Sequence, residues 1–201
     1  MSMKARLFGV YFLFYAYSFV RYHLGKGVPY EEVIYVWNKS LSWMSFFLIG
    51  ISILPVSWWR KRSLNRKQVG LTGFLIAATH VILSVFLLKP SRYPFLYDSN
   101  NSWTFQGMCT IGVAIMALAI FGMVLLTSLD QISLKSPQRE KILKLGKWGF
   151  LIVSLHPFLM GYDRWFNGPW PFRFPPITLL AVLMSIAFWM IRLTLTAKKG
   201  N

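Results

Sequence analysis

The chain alternates between long apolar stretches and short polar ones. A hydrocarbon core of roughly 30 Å takes about 20 helical residues to cross. The cleanest apolar stretch, Gln106–Leu129, carries no charged side chain. Leu41–Trp59 and Pro175–Ile191 are likewise free of charge, and Gln68–Leu88 is interrupted only by His80. Two shorter stretches complete the set: Leu7–Val20, and Trp148–Tyr162, which contains His156 and extends back to Gly146. The pattern predicts an all-α integral membrane protein, a six-helix transmembrane bundle, with residues 1–201 as one transmembrane domain. The connections are too short to be domains of their own. Val28–Asn38 reads as a short segment lying on the outer face. Asp163–Pro176, rich in Pro, Phe and Trp, reads as an irregular cap packed across the outer mouth. The first stretch follows Lys4 and Arg6 as a signal peptide would. No small-x-small cleavage pattern closes it, so a retained helix is expected.

Charge orients this bundle. The net charge is +16, from 22 Lys and Arg against 6 Asp and Glu. In a soluble protein that balance would point to nucleic acid. Here hydrophobic residues make up 55% and charged ones 14%, with a mean hydropathy of +0.48, which excludes both a soluble globular domain and disorder. With six spans, 15 of the 22 basic residues fall on one side: Lys4 and Arg6, the Arg60–Lys67 and Lys135–Lys147 clusters, and Arg192, Lys198 and Lys199. The other side holds 7: Arg21, Lys26, Lys39, Lys89, Arg92, Arg164 and Arg173. By the positive-inside rule both termini are cytoplasmic. The basic clusters flank membrane spans and form no continuous surface, so no nucleic-acid partner is expected. The single cysteine, Cys109, excludes a disulfide framework, a CxxC pair and a thiolate zinc site. No GxGxxG or P-loop pattern is present.

Two of the three histidines, His80 and His156, lie inside spans. A histidine in a span is either functional or a neutral imidazole hydrogen-bonded across a helix interface, and for one alone the readings weigh equally. The pair says more. His80 stands 12 residues beyond Gln68, about 18 Å along its helix, and His156 stands 10 residues beyond Gly146, about 15 Å along. Both spans run outward, so the imidazoles share a depth slightly toward the outer face. Two such imidazoles can grip one haem iron from opposite sides, an arrangement suited to electron transfer. Gly73, Ala77, His80 and Ser84 recur at spacings of 4, 3 and 4 on one helix face, and Gly149 precedes His156 as Gly73 precedes His80. Those glycines are expected to leave a slot for a flat macrocycle; small residues also line ordinary contacts between membrane helices. Pro157 directly follows His156 and removes one backbone donor. His23, at the outer end of the first span, could reach a haem propionate or be simply interfacial. No carboxylate lies within the spans, so a zinc site or a proton relay is poorly supported.

The stretch Arg66-Lys67-Gln68-Val69-Gly70-Leu71-Thr72-Gly73-Phe74, running to Thr79-His80, resembles the ferric reductase-like transmembrane domain. So does Leu143-Lys144-Leu145-Gly146, running to Leu155-His156, and Pro29–Pro55 resembles that family's loop and second helix. Within the family, the layout is most similar to haem-binding membrane subunits of bacterial periplasmic methionine-sulfoxide reductase systems. The resemblance implies a haem b held by His80 and His156 as metal ligands. Electrons would enter on the cytoplasmic side from quinol or a flavin reductase and leave to an external, periplasmic oxidoreductase, in the bacterial inner membrane. Relatives often hold a second haem nearer the cytoplasm, at positions corresponding here to Arg66 or Lys67 and to Leu143. No histidine stands there, so FMN or a quinone would have to fill that gap. The 201 residues include no nicotinamide or flavin domain, so on this reading the reductase is a separate protein. A non-redox scaffold or transporter subunit, and a direct metalloreductase, remain the alternatives.

Overall fold

The computed structural model describes residues 3–59, 65–129, 136–168 and 170–197. Six long helices occur among them. They are α1 (Met3–Phe19), α2 (Val33–Ser52), α3 (Arg66–Leu87), α4 (Phe105–Ser128), α5 (Ser136–Asn167) and α6 (Ile177–Ala197). Local chemistry sets several of their ends. The Asn65 side chain accepts the Lys67 N–H at 2.9 Å at the start of α3, and Thr104 Oγ1 accepts the Gly107 N–H at 3.0 Å at the start of α4. Pro55 stops α2, and the Pro175-Pro176 pair precedes α6, because proline lacks the donor that an interior turn needs. Among the described residues there is no strand, only an isolated bridge between Tyr97 and Trp103.

The helices alternate in direction. At one end, called distal here, Tyr17 donates to the Pro175 carbonyl at 2.6 Å and Arg21 donates to that of Phe174, so the end of α1 meets the segment before α6. At the opposite, basal end, Arg66 donates to Ser52 O at 2.6 Å and Arg192 donates to Ile53 O. The helix α2 packs on α1, α3 and α6, while α5 packs on α4 and α6. The core joins them through Phe46 and Ile49 of α2, Phe150 of α5, and Ala181 and Phe188 of α6.

The outside of the bundle is apolar. Residues such as Ile82, Phe86, Ile115, Leu183 and Met190 are exposed, Phe86 to 72%. An apolar exterior of this extent requires lipid as the solvent. Four helical segments, Arg66–Leu87, Phe105–Ser128, Glu140–Asn167 and Pro171–Ala197, are long and apolar enough to cross a bilayer. The 17-residue α1 and α2 fall outside that measure, α2 because Asn38, Lys39 and four serines dilute its apolar content. The chain is a multi-pass integral membrane protein.

Three expectations need correction. The second span was placed at Leu41–Trp59, but α2 begins at Val33 and ends at Ser52. Counting charge-free residues excluded Lys39, yet its ammonium lies 5.1 Å from the Tyr35 ring centre and 4.7 Å from that of Tyr93, and those contacts let it stay in the helix. The supposed surface segment Val28–Asn38 therefore shrinks to one 3-10 turn, Tyr30–Glu32, ahead of α2. Finally, Asp163–Asn167 is helical, because α5 continues ten residues past Pro157. The cap across the distal end is the shorter stretch that follows, and it packs as expected against the end of α1. Of the basic clusters used for orientation, Arg60, Lys61, Arg62, Lys135, Lys198 and Lys199 lie outside the described residues.

The close contact of α2 with α6 depends on Gly50. A Cβ there would lie 2.5 Å from the Phe188 ring and 2.8 Å from that of Phe150, both buried. Gly50→Ala is expected to destabilise the fold by about 1–3 kcal/mol through overpacking, read as a lower thermal midpoint in detergent.

Candidate functional site

His80 projects from the middle of α3 toward α2. Its Nδ1 lies 2.7 Å from Asn38 Oδ1 and 3.1 Å from the Asn38 backbone carbonyl. The Asn38 amide is oriented by its other end, where Nδ2 donates to Ser84 Oγ at 2.9 Å. Both oxygens facing Nδ1 are therefore acceptors, so Nδ1 carries the proton and Nε2 keeps its lone pair. Asn38 is 1% exposed, and this network satisfies its buried amide.

His156 repeats the arrangement on α5. Its Nδ1 lies 3.1 Å from the backbone carbonyl of Thr110 on α4. A carbonyl only accepts, so here too Nδ1 carries the proton and Nε2 is left with a lone pair. Thr110 is itself anchored, its hydroxyl donating to Gln106 O at 2.7 Å. Each imidazole is thus held by the helix paired with its own: α2 holds His80 and α4 holds His156. The two rings lie within electrostatic reach of one another, and Lys39 within reach of both.

The helix α3 packs mainly on α2 and α5 mainly on α4, and neither is the main partner of the other. An Nε2 lone pair with its Nδ1–H tied to a carbonyl is the form in which imidazole binds a metal. No group of three or more His, Cys, Asp or Glu occurs among the described residues, so a metal held by protein side chains alone has no donor set here. Two opposed imidazoles fit a metal whose remaining ligands come from a macrocycle, which is the donor set of a bis-imidazole haem.

The glycines singled out with the histidines are placed otherwise than expected. A Cβ on Gly73 would meet Leu48 and Ile49 at 3.0 Å, and one on Gly149 would meet Ile120 at 2.8 Å and the Phe121 ring at 3.2 Å. The space beside them is filled by α2 and α4. They permit close helix packing and do not shape a slot, since small residues let membrane helices approach. His23 Nδ1 donates to the Val28 carbonyl, 2.6 Å away, and the ring stacks on Tyr30 with ring centres 4.9 Å apart. Cys109 is half-buried on α4.

Below the histidines, toward the basal end, the positions expected to face a second cofactor do converge. Arg66, Lys67 and Leu143 line one cavity of about 530 Å³ together with Gly70, Phe74, Phe121 and Lys147. Its lining is mostly apolar, with Arg66, Lys67 and Lys147 as its cations.

At the distal end four cations approach one another. Burial, and then the charges of Arg21, Arg164 and Lys39, lower the Lys26 ammonium to about 8. The sequence reading missed Asn38, Lys39 and Thr110. A signal existed for the first: Asn38, Ser42 and Ser45 recur at spacings of four and three, a polar stripe on one face of α2. For Thr110 only the backbone carbonyl acts on His156, and sequence carries no sign of that.

No family model matches the sequence. It is similar to Metalloreductase STEAP3 of Rattus norvegicus, with 23% identity over 222 aligned positions, covering 88% of this chain and 45% of that protein. It is also similar to Metalloreductase STEAP2 of Homo sapiens, with 30% identity over 138 positions, covering 59% of this chain and 28% of that one. The chain thus spans less than half the length of these curated relatives. With its apolar exterior and paired histidines, this chain is a multi-pass membrane protein distantly related to membrane metalloreductases.

Proposed function

We propose that this chain is a membrane cytochrome b that carries electrons from its basal to its distal side through one haem held by His80 and His156. The observation that carries the reading is the shared state of the two imidazoles: each has Nδ1 tied to an oxygen acceptor and Nε2 free, on two helices that each pack mainly on another. When bound, a bis-imidazole haem supplies one-electron transfer with no open coordination position. The chain's own part is to orient the ligands. Asn38 and the Thr110 carbonyl hold the Nδ1 protons, which fixes both rings and raises the donor strength of Nε2.

The charge asymmetry supports a cytoplasmic basal face and an external distal face. The basal cavity is suited to the electron donor, a quinol or a reduced flavin such as FMN. Its apolar lining would take a planar ring, and Arg66, Lys67 and Lys147 an anionic group. At the distal face we propose delivery to a periplasmic oxidoreductase partner such as a methionine-sulfoxide reductase. The relatives' names favour a second reading, direct reduction of a metal ion at that face.

The test is a dithionite-reduced minus oxidised visible spectrum of the purified chain, with haem counted per protein. Sharp b-type bands at one haem per chain are expected. A colourless protein from haem-sufficient cells overturns the proposal in favour of a scaffold, and two haems per chain would place a ligand not identified among these residues.

A further inference from the structure

Lys39 is a cation in an unusual place. It lies on α2 next to Asn38, which holds His80, and it is within electrostatic reach of His156 as well. Its ammonium is enclosed by the rings of Tyr35 and Tyr93, at 5.1 and 4.7 Å. Tyr93 is itself buried, so these rings hold the ammonium in place rather than leaving it to wander into solvent. The ion pairs found among the described residues are Arg92–Glu32 at 3.2 Å and Lys144–Glu140 at 2.7 Å. Neither involves Lys39. A cation withdrawn from water is costly unless an anion meets it, and tyrosine rings compensate only in part. The neighbouring cations, Lys26 and beyond it Arg21 and Arg164, add to the positive potential. Tyr93 also makes a side-chain hydrogen bond with the ammonium, but no carboxylate pairs with it among the described residues, so the surroundings stay net positive and suit a negative group.

Resting on the haem reading above, we propose that Lys39 is the carboxylate anchor of that site: its ammonium receives a propionate of the macrocycle held by His80 and His156. Side chains on a helix lean toward its N-terminus, and the N-terminus of α2 is distal, so Lys39 reaches to the distal side of His80. The macrocycle carries its two carboxylates on one edge, and Lys39 selects the orientation that turns this edge distally. His23, the residue whose position in sequence suggested the same role, has its Nδ1 taken by the Val28 carbonyl and its ring stacked on Tyr30, leaving only Nε2 buried without a partner.

The test uses the full chain in detergent, produced under haem limitation and titrated with haem or with haem dimethyl ester, whose propionates are uncharged. Lys39→Met is expected to weaken haem binding by about tenfold or more, the loss of one charge-assisted hydrogen bond. It should leave affinity for the dimethyl ester at the wild-type value, and Lys39→Arg should restore haem binding. Equal weakening toward both porphyrins means that Lys39 only supports the fold, and unchanged haem affinity in Lys39→Met means that it touches no propionate; either result overturns the proposal. Wild-type chain that takes up neither porphyrin overturns the haem reading itself, and this inference with it.

Discussion

Replacing either His80 or His156 by alanine is expected to abolish stoichiometric haem binding and the low-spin bis-imidazole spectrum. Neither histidine has a substitute nearby: His23 is engaged at the distal end with Val28 and Tyr30, and no group of three or more His, Cys, Asp or Glu occurs among the described residues. The two losses should be equal in kind, since one imidazole alone leaves the iron with an open position and a weaker hold. They differ in their effect on the fold. His80→Ala strands the Asn38 amide oxygen, at a cost of about 1–3 kcal/mol for a buried acceptor. His156→Ala removes only a second donor to the Thr110 carbonyl, which inside α4 still accepts its helical hydrogen bond. The measurement is haem per chain and the visible spectrum, with circular dichroism to show that helix content is retained. If both variants fold and keep full haem, the two histidines are packing residues.

The second large effect is expected at Asn38, which touches no cofactor. Asn38→Leu removes both the amide that accepts the Nδ1 proton and the donor that reaches Ser84 at 2.9 Å. His80 then keeps the weaker contacts at 3.1 Å to the backbone carbonyl of residue 38 and at 3.5 Å to Ser84 Oγ. Loss of such an outer partner lowers metal affinity by about 10–100-fold in comparable sites. It also lowers the donor strength of Nε2, so the reduction potential of the haem should rise, because a weaker donor stabilises the ferric iron less. Asn38→Asp, which keeps the acceptor oxygen, should restore most of the affinity. A wild-type titration curve and potential in Asn38→Leu would show that α2 does not orient the ligand.

Much of the helix layout could be read from the chain because lipid imposes a simple rule. A span must be long and apolar, and four stretches satisfied that without ambiguity. The rule failed at α2, where Asn38 and Lys39 lie in a helix that a search for charge-free residues begins later. A buried polar residue costs little once it has a partner; His80 and Tyr93 are distant in sequence, and only Tyr35, one turn earlier on α2, is local. It failed again at Asp163–Asn167, where the Pro, Phe and Trp content of the stretch to Pro176 suggested irregular chain, but its prolines begin only at residue 169 and the helix runs on to Asn167.

The site divides along the same line. The sequence by itself determined a membrane protein of six long helices, and it put His80 and His156 at matched depth, because both conclusions depend on distances along single helices. The family resemblance, rather than spacing, pointed to Arg66 or Lys67 and to Leu143, and these line one cavity. Only the tertiary structure decided which nitrogen of each histidine is free, since that is set by Asn38 and by the Thr110 carbonyl on other helices. It also reassigned Gly73 and Gly149 from a cofactor slot to helix contacts, because a glycine's missing side chain has meaning only against the atoms that face it. Spacing along a helix says which residues share a face, and the pairing of α3 with α2 and of α5 with α4 decided what each face meets.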